Sequence, residues 1–528
     1  MPESILAYQA SQAVENAFAN GTPLGDLGEA RQGAATGCNE RFVRMWWEVS
    51  SDDFMTDASS IEEALSSGKK WFPFNKGGSF RKWYGNNDCV IAFDQDSFDE
   101  LALMGNHLPS RDFYFKPSIT WSKIASGTLS MRMKPTGHIF SDAGMCIFGD
   151  ERKLKLMQGF LNSSSVDPFA RIASPTLHFE KGQVALYPVL DTGEQAAAII
   201  EYVDQNIDLA TKDWDSFEVS WDFKNHPLHP QVGQSNESIE EIFATWETEC
   251  MMRFDNVKSN EEKLNRVYAQ VYDMKGEVPI EVPNDKVSVR LADKERDIKS
   301  LISYGIGCVF GRYSIDKPGL ILANQGSTVS DFNAKVPSAS FSIDEDGILP
   351  VLDGEWFEDD IVVEFKNWLE TTYGSETLQA NIAFIEDALG EDLRTYFVKH
   401  FYDDHVKTYQ KRPIYWLFSS PKKSFNVLVY LHRYDEGTVG DILTGYLRDY
   451  ISKLNASIAS LETSDRAADQ KQADKYRNVV KELEEWERDV IYPMAHERIS
   501  IDLDDGVKVN YNKFPHALRK ITGLSEWK

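Results

Sequence analysis

Two stretches near the end of the chain constrain its fold more than any other feature. Residues 439–495 contain DILTGYLRDYISKLNASIASL and DQKQADKYRNVVKELEEWERDVIY, interrupted only near Glu462-Thr463-Ser464-Asp465. In both, Leu, Ile and Val recur at helical spacing and charged residues fill the other positions, which predicts two amphipathic helices. So short a connection predicts that they fold back as an antiparallel hairpin, a usual spacer or clamp between domains. A chain of 528 residues is too long for one core and should hold two to four domains. Its 42% hydrophobic content marks it as globular.

Several classes are excluded early. No run of about 18 apolar residues is present, so no membrane-spanning helix is expected. The opening MPESILAYQASQ lacks the basic region and apolar core of a secretory leader. Cys38, Cys89, Cys146, Cys250 and Cys308 are odd in number and never in C-x-x-C, so they read as reduced thiols of a cytoplasmic protein. The 10 His form no paired metal motif. There is no G-x-S-x-G, no phosphate-binding P-loop and no [DN]-P-P-[YFW] tetrapeptide, so no catalytic residue, metal site or bound cofactor is expected in this chain.

The net charge of −27 argues against indiscriminate coating of nucleic acid, but it is unevenly spread. From 68 to 135 there are 10 Lys or Arg against 6 Asp or Glu, a local balance of +4. Lys76, Gly77, Gly78, Arg81, Lys82, Trp83, Trp121, Lys123 and Arg132 fall in this stretch. Cations neutralise phosphates, glycines allow close backbone approach and rings stack on bases, so a DNA-facing surface is one reading. An ordinary β-rich core edged with lysines is the other. Residues 405–433 repeat the pattern with 6 Lys or Arg and no acid. There Ile414–Phe418 and Phe425–Leu431 read as paired strands, and Lys411, Arg412, Lys422 and Lys423 as a second backbone contact or a solvated tip.

The remaining segments give a coarse order. Residues 4–20 read as a short helix, followed by a Gly-rich turn segment with Arg31, Asn39 and Arg41, and by a strand over Phe42–Val49. Residues 85–107 look helical around SFDELALM, and Ile119–Ser122 and Gly137–Phe140 look like strands. Residues 153–161 and 194–213 read as helices, and 174–190 as a hairpin turned at Lys181-Gly182. A Pro/Gly/Ser-rich break over 226–237 marks a boundary. Helical spacing covers 238–274, 286–301 and most of 358–404. The G-x-G-x-x-x-G of Gly305, Gly307 and Gly311 lacks a nucleotide loop's spacing and βαβ setting, and reads as a tight turn packing helix on helix. Asp344–Gly347 reads as a solvated turn rather than a calcium loop. Ile499–Asn510 reads as a closing β-hairpin.

Long blocks carry a family resemblance: LGDLGEARQGAATGCNERFVRMWWEV, FNKGGSFRKWYGN, ITWSKIASGTLSMRM, GHIFSDAGMCIFG, SYGIGCVFGRYS, LPVLDGEWF and RPIYWLFSSPKKSFNVLVYLHRY. From about residue 20 to about 515 the chain closely resembles PglX, the adenine-specific DNA methyltransferase family of BREX phage-defence systems. The resemblance is to the C-terminal part of that family. It implies that the S-adenosylmethionine-binding, N-P-P-Y-bearing catalytic domain lies outside this chain, with S-adenosylmethionine bound there. It places Arg31, Asn39 and Arg41 in a recognition domain's opening loop, and Lys76, Gly77, Gly78, Arg81, Lys82, Trp83, Trp121, Lys123 and Ser126 on its DNA-facing side. The implied partners are double-stranded DNA and a catalytic methyltransferase half or other BREX components. A non-DNA-binding scaffold of a defence complex, or an inactive remnant, is the alternative.

The fold class expected is therefore α+β. A mixed α/β target-recognition domain (1–225) would precede a helical central domain (226–404), a basic β-hairpin (405–438), the helical hairpin (439–495) and a terminal β-hairpin and tail (496–528).

Overall fold

A computed structural model of the chain describes residues 10–125, 127–174, 178–230 and 237–527. Helices and several small sheets alternate along it, an α+β architecture. The residues group into two compact units. The first takes the chain up to Trp46, Asp52–Trp221 and Glu247–Ala292; the second takes Trp47–Ser51, Asp222–Trp246 and everything from Asp293.

The first unit begins with helix α1 (Gln12–Asn20). Besides a short pair, Thr22–Pro23 with Pro188–Val189, its strands are β1 (Glu29–Arg31), β2 (Val43–Met45), β3 (Trp71–Asn75), β4 (Cys89–Ala92), β5 (Ser118–Ser122), β6 (Arg132–Lys134), β7 (Ile139–Phe140) and β8 (Gly144–Phe148); these eight carry the larger sheets. They form two four-stranded sheets, ordered β1-β8-β5-β6 and β2-β4-β3-β7. Neighbours are antiparallel except β3 and β7, which run parallel. Every residue of β3, β5 and β8 is buried, so these strands lack the in–out alternation of a half-solvated sheet. Helices α2 (Glu151–Leu161) and α3 (Ala196–Asp215) pack close because Gly159 has no side chain; a Cβ there would lie 3.1 Å from Ile199 and 3.2 Å from Val203. The long α4 (Ile239–Val271) gives its first turns to the second unit and the rest to the first. Phe160 of α2 stacks on Tyr272, just past the end of α4, with ring centres 4.8 Å apart.

The second unit contains α5 (Lys294–Val309), α6 (Ile361–Tyr373), α7 (Leu378–Leu389) and a sheet of β9 (Ile348–Pro350), β10 (Tyr415–Ser419) and β11 (Asn426–Tyr430), ordered β9-β11-β10. Helices α8 (Arg448–Glu462) and α9 (Ala467–Trp486) follow. Arg448 at the start of α8 pairs with Glu487 just past the end of α9, and Glu462 at the end of α8 pairs with Arg477 in the middle of α9, so the two helices run in opposite directions. Residues 47–51 are embedded in this unit. Trp47 Nε1 donates to Arg412 O at 3.0 Å, Val507 N donates to Glu48 Oε1 at 2.9 Å, and Ser51 N donates to Ala323 O at 2.9 Å.

Four sequence expectations need correction. The strand over Phe42–Val49 is only Val43–Met45, followed by a 3₁₀ turn whose tryptophans turn inward. The hairpin expected over 174–190 is not formed by the described residues 178–190 (175–177 lie outside the described residues): Lys181–Val184 is a helical turn whose entry is tied by Glu180 N to Gln183 Oε1 at 3.0 Å, and Pro188–Val189 pairs with Thr22–Pro23. Gly305 and Gly307 lie inside α5. A Cβ on Gly305 would meet the Phe365 and Trp368 rings of α6 at 2.8 Å, so Gly305 does bring helix onto helix, whereas Gly307 makes room for the Tyr313 ring and Gly311 with φ +79 makes the turn. Residues 499–510 form a 3₁₀ turn, Leu503–Asp505, and a helix, Gly506–Tyr511, because Asp502 caps the turn by accepting from Asp504 N at 2.9 Å.

Candidate nucleic-acid interface

The loop after β3, Lys76-Gly77-Gly78-Ser79-Phe80, is held from beneath. Buried Asn75 donates through Nδ2 to Thr120 Oγ1 (2.6 Å) and Gly144 O (3.1 Å), and its Oδ1 accepts from Gly77 N (3.4 Å). Gly77 and Gly78 adopt φ +82 and +117, and a Cβ on Gly78 would lie 2.7 Å from Asn86 Nδ2, so only glycine fits there. Two further bonds fix the peptide planes: Ser122 Oγ donates to Gly78 O at 2.8 Å and Asn86 Nδ2 to Ser79 O at 2.9 Å.

The cations after this loop turn inward, contrary to the DNA-facing reading. Arg81 Nη1 donates to Asp213 Oδ2 at 3.1 Å and its guanidinium sits 5.0 Å from the Trp214 ring centre. Lys82 Nζ lies 2.7 Å from Glu261 Oε2, and Trp83 Nε1 donates to the other oxygen of the same carboxylate at 2.7 Å. Trp83 and Trp121 are wholly buried, and Trp121 Nε1 donates to Phe179 O at 2.8 Å, so neither ring can stack on a base. Arg132 is also fully buried; it donates to Arg81 O (3.1 Å) and Ser122 Oγ (3.3 Å), bracing the glycine loop from below. Burial, then the nearby Arg81, lowers its pKa to about 10. Its neighbour Lys134 reaches Gly85 O, Asn86 O and Asn87 Oδ1, and burial, then Arg132, lowers its pKa to about 7. Arg81, Lys82, Trp83, Trp121 and Arg132 are thus scaffold. The physical cause is that their acidic and carbonyl partners are supplied by distant segments.

The other candidates are nearer solvent. Lys76 is half-buried, its ammonium 5.9 Å from the Phe74 ring centre. Lys123 pairs with Glu180 at 2.9 Å. Arg31 pairs with Glu29 and lies over Phe113, exposed Asn39 accepts from Thr36 Oγ1 at 2.9 Å, and exposed Arg41 pairs with Glu100. Ser126 lies outside the described residues. In the second unit Lys411 is exposed, Arg412 Nε sits 3.7 Å from Glu48 Oε1, and Lys422 and Lys423 project from the β10–β11 turn. That turn is pinned by Glu482 of α9, whose Oε1 accepts from Ser420 Oγ (2.8 Å) and Lys422 N (2.6 Å).

The glycine loop borders a cleft of about 360 Å³, walled by Gly78, Phe80, Ser122 and Ile124 and by Asp285 and Lys286 from the segment after α4. Arg31, Asn39 and Arg41 do not line it. Sequence reasoning missed Lys286 entirely. The segment carrying it is latched to the loop by Lys82 N to Ser288 Oγ (3.2 Å) and Ser288 Oγ to Lys82 O (3.3 Å), contacts that span 206 positions. No local sequence signal announces such a pairing.

No family model matches the chain. An adenine-specific methyltransferase PglX of Lacticaseibacillus casei (strain Zhang) is 38% identical over 555 aligned positions, which take in 99% of this chain and 45% of that protein. The chain is a relative of PglX. An adenine-specific methyltransferase BrxX of Escherichia coli O9:H4 (strain HS) is 33% identical over 567 positions, with the same two coverages. The likeness to PglX and BrxX lies in their C-terminal part and extends over both units described above. The chain thus spans less than half the length of these curated relatives.

Proposed function

We propose that this chain is the target-recognition and helical part of a BREX-type, site-specific N6-adenine DNA methyltransferase. In this reading it grips the duplex and supplies sequence choice. Methyl transfer from S-adenosylmethionine belongs to a region like the remainder of PglX, whether on the same or another polypeptide. The observation that carries the reading is the similarity of nearly the whole chain to two proteins named adenine-specific methyltransferases. The glycine loop, the half-buried Lys76 and the exposed Lys422 and Lys423 support it, since backbone amides and lysines hold phosphates without reading sequence. Base edges would be read by longer donors nearby, as Arg and Asn read guanine and adenine.

A second reading, a scaffold that docks other defence components, is favoured by the charge of −27 and by the inward turn of Arg81, Lys82 and Arg132. Long-read sequencing of genomic adenine methylation separates the two, in cells holding a competent catalytic region with and without this chain. Methylation at one asymmetric motif only when both are present is the expected result. No dependence on this chain would leave the scaffold.

A further inference from the structure

We infer that the cleft beside the glycine loop is a socket for a single backbone phosphodiester of DNA, with Lys286 as its cationic closure. The inference rests on the DNA-binding reading above and adds to it a site and a residue from outside the basic stretch.

Three features converge. The backbone N–H groups of Gly78, Ser79, Phe80 and Arg81 meet no acceptor among the described residues, whereas the Gly78 and Ser79 carbonyls are tied down by Ser122 and Asn86. Consecutive amides left open, on a loop whose Gly78 and Ser79 carbonyls are already engaged, are the donors an anion requires. Lys286 is exposed, makes no ion pair among the described residues, and holds its ammonium 5.6 Å from the Phe80 ring centre at the edge of the cleft. Phe80 and Ile124, the latter 62% exposed, give the cleft apolar surface beside the hydroxyl residues Ser79, Thr128 and Ser130. That apolar surface suits the carbon edge of a deoxyribose flanking the phosphate. A volume of about 360 Å³ admits one phosphodiester and an adjoining sugar.

One group opposes this arrangement. Asp285 lines the same cleft and is exposed. Its carboxylate would repel a phosphate, which gives the inference a second prediction of opposite sign.

The test measures binding of the full chain to a labelled duplex by fluorescence anisotropy over a salt series. The variants are Lys286→Ala and Asp285→Asn. Both side chains are exposed, so the melting temperature should not move. Lys286→Ala should lower the slope of log affinity against log salt by about one. Asp285→Asn should tighten binding several-fold at low salt. Duplex binding with an unchanged slope in Lys286→Ala and no gain in Asp285→Asn would overturn the socket and leave the DNA reading standing. A chain that retains no duplex at the lowest salt would overturn both.

Discussion

Lys82 Nζ lies 2.7 Å from Glu261 Oε2, and both side chains are out of solvent. A charge left alone in such a place is costly, so Lys82→Ala should lower unfolding free energy by about 3–5 kcal/mol. Urea titration should show the midpoint falling steeply. Duplex affinity of the remaining folded protein, measured in the cold, should stay near that of the parent. An unmoved midpoint with weakened DNA retention would return Lys82 to the DNA-facing set.

Asp213 collects Arg81 and Arg290, each at 3.1 Å. Burial alone would raise its pKa, but Arg290 and then Arg81 outweigh burial and hold it below the ordinary carboxylate value. A depressed carboxylate contributes stability above its unfolded pKa of about 4, and that stability is lost as pH falls through the folded value. Asp213→Asn should therefore be less stable at neutral pH and show a flatter loss as pH falls below the ordinary carboxylate pKa of about 4. Urea midpoints from neutral pH down through that fall decide it.

Tyr446 presents one hydroxyl to two carboxylates, Asp346 at 2.8 Å and Asp359 at 2.7 Å. One phenolic proton cannot serve both, so the cluster favours holding an extra proton. Burial, then Asp346, raises the neighbouring Asp344 to about 8, and burial raises Asp359. Groups raised in the folded state contribute stability that is full below their unfolded pKa and is lost as pH climbs through the folded value. Unfolding free energy should therefore fall between about pH 4 and 8, and Asp344→Asn should flatten that decline. The Asn side chain can still accept from Gly347 N and Ile348 N, as Asp344 Oδ2 does. An equally steep decline in the variant would clear Asp344 of the effect.

At the β10–β11 turn, Glu482→Ala would strip Ser420 Oγ and Lys422 N of a buried acceptor, a loss of about 1–3 kcal/mol. Hydrogen exchange at Lys422 N should quicken well before that of β11. Lys422→Ala with Lys423→Ala should leave stability unchanged, because both side chains are exposed, and should reduce the salt slope of duplex binding by up to about two. An unaltered slope would mark the tip as a solvated turn.

Much was legible in the residues, and what was not has a common cause. The helices over 95–103, 151–161, 196–215 and 361–373 and the β10–β11 pair follow from periodicity because each makes its defining contacts locally. The family blocks were legible for the same reason that 38% identity is: they are long and in order. The basic–aromatic stretch was ambiguous because a ring in a strand buried on both faces has the same local pattern as a ring awaiting a base. Arg81 and Lys82 find their acids 132 and 179 positions away, so nothing near them in sequence shows that their charges are already spent. Lys286 is the converse case, a surface cation brought to the glycine loop from beyond a long helix.

Residues 47–51 are made early and used late. Trp47, Glu48 and Ser51 bond to Arg412, Val507 and Ala323. On a ribosome these five residues emerge hundreds of codons before their partners exist. The surrounding first unit itself must wait for Ala292 to be complete. During that interval Trp47 and Val49, buried in the finished protein, lack the partners that cover them, and transiently exposed apolar surface of this kind is prone to aggregation. The same threading means that a graft exchanging residues 52–221 between relatives keeps the second unit's insert intact, whereas any cut that separates 47–51 from the rest of the second unit unpicks it.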